Sequence, residues 1–304
     1  MTAFTGLSAF PLTPLVDDRV DEAAFAVLIR RLADTGVDSI TALGSTGSYA
    51  YLDIEERALV ARLAVEHAGS TPVHVGVGAL RTSHVLRNVE HAAQAGTAGV
   101  LLSPMSYQPL TDHEVFELFR TVTESTDLPV ILYDNPRTTN FTFTTDLYAR
   151  IAELPGIASI KIPGVPQDAT AARRRVAEIR AAVAATVTIG VSVDAFGAAG
   201  LIAGCDAWYS AIGGTLPETA LRITRAALSG RPEDAVADSE RLQPLWALFA
   251  EFGGSLRVTA AIAEHLRLVQ EGSLPLPVQG IPESHQPRVI AVFEELRAAG
   301  AVLE

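Results

Sequence analysis

The sequence predicts an α/β fold, a (β/α)8 barrel carrying a small C-terminal helical domain. Short β-rich runs and amphipathic helical segments alternate eight times in series. No long antiparallel section interrupts them. The eight units end near residue 229 of 304, close to the roughly 250 residues that such barrels take. A doubly wound sheet is the alternative for the same alternation, but it usually needs fewer units.

The elements follow in order, with β-branched and aromatic residues filling the strands and Ala, Leu, Arg and Glu the helices. Strand 5–10 (TGLSAF) precedes a helix over 21–35. Strand 37–43 (VDSITAL) runs through a Gly/Ser/Thr loop into helix 53–68, which Asp53 caps ahead of Glu55 and Glu56. Strand 72–77 (PVHVGV) leads to helix 82–94, and strand 98–103 (AGVLLS) to helix 111–126. Thr111 with Glu114 three residues on is a capping box. The remaining pairs are 129–134 (PVILYD) with 144–153, 157–161 (IASIK) with 168–184, 186–191 (TVTIGV) with 194–203, and 206–210 (DAWYS) with 216–229. The segment beginning SGRPEDAVADSERLQPLWALFAEFGG reads as three helices with a Pro-rich break at SLPLPVQGIPESHQP. The expected division is a barrel over 1–229 and a helical domain over 230–304.

Composition narrows the function. Hydrophobic residues at 48% and charged residues at 19% suit a packed globular core and exclude disorder. A net charge of −12 without a basic run argues against nucleic acid and anionic membrane surfaces as partners. No apolar run has the length of a membrane span. The opening MTAFTGLSAFPLTP lacks a positively charged leader, so no signal peptide is expected. Cys205 is the only cysteine, which excludes an intrachain disulfide and fits a cytoplasmic site. Its apolar setting, LIAGCDAWYS, reads as a buried small residue.

In such a barrel the chemistry sits at the C-terminal ends of the strands. Those ends carry GSTGS (44–48), SPMSYQP (103–109), YDNPRTT (133–139), Lys161, GVSVD (190–194) and SAIGG (210–214). Lys161 is the only lysine in the chain, every other Lys/Arg position being arginine. A bias toward arginine replaces solvated lysines freely, but it does not account for a lysine kept at the end of an apolar strand. Arginine cannot replace lysine where the amine must lose its proton and attack a carbonyl, as in Schiff-base chemistry. Tyr133 ends the preceding strand, where its phenol can shuttle protons to and from a carbinolamine. In the GSTG loop, Gly44 and Gly47 permit close backbone approach, and Ser45 and Thr46 add hydroxyls; together they can hold a carboxylate. A phosphate is less suited, because barrel phosphate sites favour the last two loops and no Walker spacing is present.

Other constellations carry less. The seven histidines show no ligand spacing, and His84 and His91, a heptad apart, read as solvated surface. A metal-dependent aldolase would need His, Asp and Glu clustered at strand ends. Asp134 and Asp194 lie at strand ends and read as local caps or supports. Trp246, Phe249 and Phe252 form a stripe at helical spacing, which is core or interface.

The ordered set GSTG, SP…P, YDNP and SIK, at the second, fourth, fifth and sixth strand ends, resembles the dihydrodipicolinate synthase/N-acetylneuraminate lyase family over the whole barrel. The resemblance implies class I aldolase or lyase chemistry on pyruvate or another 2-oxo acid, with no cofactor and no metal. Lys161 would form the imine, Tyr133 would relay protons, and Ser45 and Thr46 would hold the carboxylate. Homotetramers, as dimers of dimers, are common among members. The sequence departs from the family at Ser48, where members carry glutamate. It departs again at Met105 and Ser106, where synthases pair tyrosines, one of which reaches a neighbouring subunit; Tyr107 stands one step on. At Thr138 synthases place an arginine for the second substrate's carboxylate, and here Arg137 is displaced by one. Tyr107, Thr138, Arg137 and Ser210 are further expected substrate contacts. These departures point to an acceptor other than that of lysine biosynthesis. A true 4-hydroxy-tetrahydrodipicolinate synthase, a sugar-acid dehydratase and a non-catalytic sensor of 2-oxo acids remain alternatives.

Overall fold

The computed structural model describes residues 4–303. Eight parallel strands close a barrel: β1 (Gly6–Ala9), β4 (Ser39–Ala42), β5 (Val73–Gly76), β6 (Gly99–Leu102), β7 (Val130–Tyr133), β8 (Ile157–Ile162), β9 (Thr188–Val191) and β10 (Ala207–Ser210). Between β1 and the first helix, β2 (Leu15–Val16) and β3 (Arg19–Val20) form a small antiparallel hairpin outside the barrel. Seven barrel strands lie within the runs that the alternation predicts, and β8 runs one residue past its own, to Ile162. The hairpin was not expected; its turn residues Asp17 and Asp18 both take positive φ, 51° and 59°, which Asp tolerates locally.

The outer layer is α1 (Glu22–Thr35), α2 (Ile54–His67), α3 (Thr82–Ala95), α4 (Asp112–Ser125), a single turn α5 (Pro136–Thr139), α6 (Thr145–Ala152), α7 (Ala169–Ala182), α8 (Gly197–Ile202) and α9 (Pro217–Leu228). The predicted capping boxes are formed: Asp53 with Glu56 and Thr111 with Glu114 exchange side-chain and backbone bonds. The segment expected as one helix over 194–203 is a 3-10 turn, Asp194–Phe196, followed by α8.

Beyond residue 229 there are four helices rather than three: α10 (Pro232–Arg241), α11 (Gln243–Glu251), α12 (Ser255–His265) and α13 (Gln286–Ala298). The extra break falls at Leu242, directly before Gln243 and Pro244, where proline has no N–H to continue the preceding helix. Trp246 and Phe249 of the aromatic stripe are buried in the core with ring centroids 5.5 Å apart. Cys205 is buried as expected, and burial pushes its thiol up to about 12. His84 and His91 are half-buried, not solvated; His91 borders a small cavity with Arg57 and Asn88 behind β5. Among the described residues no single helix is long and apolar enough to cross a membrane.

The lower barrel interior is polar in places. Ser8 and Thr41 share a 2.7 Å hydrogen bond, and Ser159 and Tyr209 another of 2.7 Å. His74 is fully buried, stacked on Phe4 at 4.9 Å, and burial pulls its imidazole down to about 4.

Candidate functional site

Parallel register places Tyr133 and Lys161 side by side at the ends of β7 and β8, and Lys161 beside Gly190 of β9. The Lys161 ammonium nitrogen lies 3.8 Å from the centre of the Tyr133 ring and 5.4 Å from that of Phe10. Only 5% of Lys161 is exposed. Burial is the largest influence on the amine and draws it down to about 7, against the opposing fields of Asp194 and Asp134. At neutral pH a large share of this lysine is therefore the free amine.

The two carboxylates are themselves buried, and burial raises both to about 6. Asp134 accepts a short hydrogen bond from the Tyr148 hydroxyl. Asp194 accepts from Ser210 Oγ at 2.9 Å and from the amides of Ala211 and Ile212 at 3.1 and 3.0 Å. Both serve as local supports, as expected, and both carry negative charge toward Lys161. Ser210, an expected substrate contact, is fully buried; its hydroxyl donates to Asp194 and accepts the Gly213 amide at 2.9 Å, which pins the turn after β10.

The Tyr133 hydroxyl meets two partners. Ser45 Oγ lies 2.8 Å away, across the barrel from the loop after β4. Asn135 Nδ2 donates to the phenol oxygen at 2.7 Å. Burial raises the phenol to about 12, while both hydrogen bonds work in the opposite direction. In the GSTG loop, a Cβ on Gly44 would lie 2.4 Å from the Phe10 ring and one on Gly47 3.0 Å from the Leu43 amide. Both glycines thus admit close packing of the loop against its own barrel. The amides of Ser45, Thr46 and Gly47 make no backbone hydrogen bond among the described residues. Ser48 and Leu43 hold positive φ, 54° and 57°, which bends the loop across the mouth.

Three of the expected substrate contacts are exposed. Arg137 Nη2 donates to the Gly253 carbonyl at 3.1 Å, just past α11. Thr138 is exposed, its hydroxyl 3.4 Å from the Asn135 carbonyl. Tyr107 is 87% exposed and lies outside the cluster formed within one chain.

Sequence reasoning missed Asn135, Tyr49 and Arg57. Tyr49 donates to or accepts from Ser103 Oγ at 2.9 Å, and the Arg57 guanidinium stands 5.5 Å over its ring. Arg57 also donates to the Gly78 and Gly76 carbonyls at 2.9 and 2.8 Å, tying α2 to the end of β5. Asn135 had a visible signal, standing two residues after Tyr133 in the same motif. Arg57 had none, since an arginine within a helix reads as surface.

A model of the dihydrodipicolinate synthetase family matches residues 3–296. A 4-hydroxy-tetrahydrodipicolinate synthase of Methylococcus capsulatus is 32% identical over 97% of each chain. One of Halorhodospira halophila is 31% identical, covering 96% of this chain and 97% of that one. The crystal structure of a dihydrodipicolinate synthase from Agrobacterium tumefaciens superposes with a TM-score of 0.92 at 41% identity, covering 97% of this chain and 99% of that one.

Proposed function

Because the chain belongs to the dihydrodipicolinate synthetase family and is a lyase of the class I aldolase type acting on pyruvate or a related 2-oxo acid, we propose that Lys161 is the amine that forms the imine. The observation that carries this is a single buried lysine drawn down to about 7 and seated on the Tyr133 ring. The free amine attacks the ketone carbon, and the resulting carbinolamine loses its hydroxyl as water with a proton from Tyr133. The iminium that remains is a cation, which Asp134 and Asp194 favour. Loss of a proton from the neighbouring carbon gives an enamine, the nucleophile for the second substrate. The amides of Ser45 and Thr46, without backbone partners among the described residues, and their hydroxyls are suited to the oxo acid's carboxylate.

The acceptor is an aldehyde without a carboxylate at the far end. Thr138 stands where the family's synthases carry an arginine and offers no cation, which favours this reading. The enzyme works in the cytoplasm as a homotetramer. Tyr51, Leu80 and Tyr107, exposed by 51%, 60% and 87% on the successive loops after β4, β5 and β6, support contact with a second copy on that side of the mouth. Condensation of pyruvate with aspartate semialdehyde and with a panel of uncharged aldehydes tests the substrate assignment. An uncharged aldehyde should win; a tenfold preference for the semialdehyde would make the enzyme a 4-hydroxy-tetrahydrodipicolinate synthase.

A further inference from the structure

The Tyr133 hydroxyl sits between a group that can only donate at the bonding atom, Asn135 Nδ2, and one that can do either, Ser45 Oγ. With its oxygen already accepting from the amide, the phenol directs its own hydrogen to Ser45. The Ser45 hydrogen is then free to point into the open mouth, where this half-buried side chain meets solvent or substrate. The hydrogen bonds therefore run in one sense, from Asn135 to Tyr133 to Ser45.

Asn135 is held firmly for this task. It precedes the single turn α5, and its carbonyl accepts from the Thr138 and Thr139 amides at 3.0 and 3.1 Å and from Thr139 Oγ1 at 2.9 Å. Thr139 is itself fully buried. The phenol ring beneath packs with Phe10, Leu101, Ile131 and Tyr209, an apolar wall that offers a phenolate no solvation.

We propose that Asn135 is a positioning residue for the proton relay, its side-chain amide holding the Tyr133 oxygen through each proton transfer and setting the direction in which the phenol hands its proton on. The proposal rests on the reading of Tyr133 as the relay to the carbinolamine. When the phenol releases its proton, the amide N–H remains bonded to the oxygen that has become negative. A neutral hydrogen bond thereby becomes a charge-assisted one at the moment it is needed. Its loss slows the step roughly tenfold to hundredfold, the range for a bond to a charged group.

The test follows imine formation with pyruvate by rapid borohydride quench, which needs no aldehyde. Wild type, Asn135→Leu and the isosteric Asn135→Asp are compared, with thermal melts alongside. Both variants are expected to trap pyruvate at Lys161 tenfold to hundredfold more slowly. Half-saturation by pyruvate should stay within threefold and the solvent deuterium isotope effect should rise. Asn135→Asp keeps the shape and removes the donor, so a folded Asp variant reacting at the wild-type rate overturns the proposal. A fall confined to pyruvate affinity also overturns it, because it would place Asn135 on the substrate and not on the phenol. A wild type that traps no pyruvate at Lys161 fails the proposed function instead.

Discussion

Replacing Asp194 by Asn probes the feature on which imine chemistry depends, the free amine of Lys161. An ordinary lysine near 10.4 is neutral in about one molecule in a thousand at pH 7.4, whereas one drawn down to about 7 is neutral in roughly 70%. That is about a 700-fold gain in nucleophile, and moving the equilibrium so far corresponds to about 5 kcal/mol at 1.36 kcal/mol per pH unit. Desolvation is the main cause, and the charges on Asp194 and Asp134 pull the other way. Removing the Asp194 charge must therefore lower the amine further, by roughly one pH unit. Asparagine keeps one acceptor for the turn that Asp194 pins through Ser210, Ala211 and Ile212. The assay is the rate of pyruvate trapping as a function of pH. The wild-type rate should rise with a midpoint near 7, and the midpoint in Asp194→Asn should lie near 6, whatever the change in maximal rate from losing a carboxylate that favours the iminium. A wild-type midpoint near 10, or an upward move in the variant, would refute the placement of the lysine in a desolvated pocket.

Two further outcomes follow from the same structure. His74 is buried as the neutral ring and held near 4, below its unfolded value of about 6.5. Its contribution to stability is complete above pH 6.5 and is lost as pH falls toward 4, in total about 3 kcal/mol. Denaturant titrations between pH 4 and 6.5 should therefore show a pH slope smaller by about 1.4 kcal/mol per unit in His74→Gln than in wild type; equal slopes would place the imidazole in solvent. At the acceptor side, Thr138→Arg should raise kcat/KM for aspartate semialdehyde by about tenfold to hundredfold, the gain from one charge-assisted bond. An unchanged value would mean that residue 138 does not face the second substrate.

The barrel was legible because its signals are local and repeated. Each strand run shows β-branched or aromatic residues, and Asp53 and Thr111 announce their helices within a single turn. The hairpin over 15–20 was hidden because two-residue strands show no period, and its Asp-Asp turn lacks the glycine that usually marks one. The split at Leu242 was hidden by an apolar pattern that continues across Pro244. At the site, Lys161 and Tyr133 stood out by residue type and by the rule that barrel chemistry gathers at strand ends. Arg137 and Ser210 carry contacts of a different kind, which the sequence did not announce. Their sequence neighbours put them at the mouth, but a backbone carbonyl at Gly253 and the carboxylate of Asp194 claim them, and those partners lie 116 and 16 residues away. The same limit applies to Arg57, whose carbonyl partners and aromatic neighbour appear only once α2 lies against β5.

The central claim is that one lysine performs the covalent chemistry. Incubation with pyruvate and borohydride, followed by peptide mass analysis, tests it most directly. The account predicts a reduced pyruvate adduct on the peptide containing Lys161, and none there in a folded Lys161→Arg variant, whose guanidinium cannot deprotonate. Labelling of the N-terminal amine alone, with Lys161 unmodified, would contradict it.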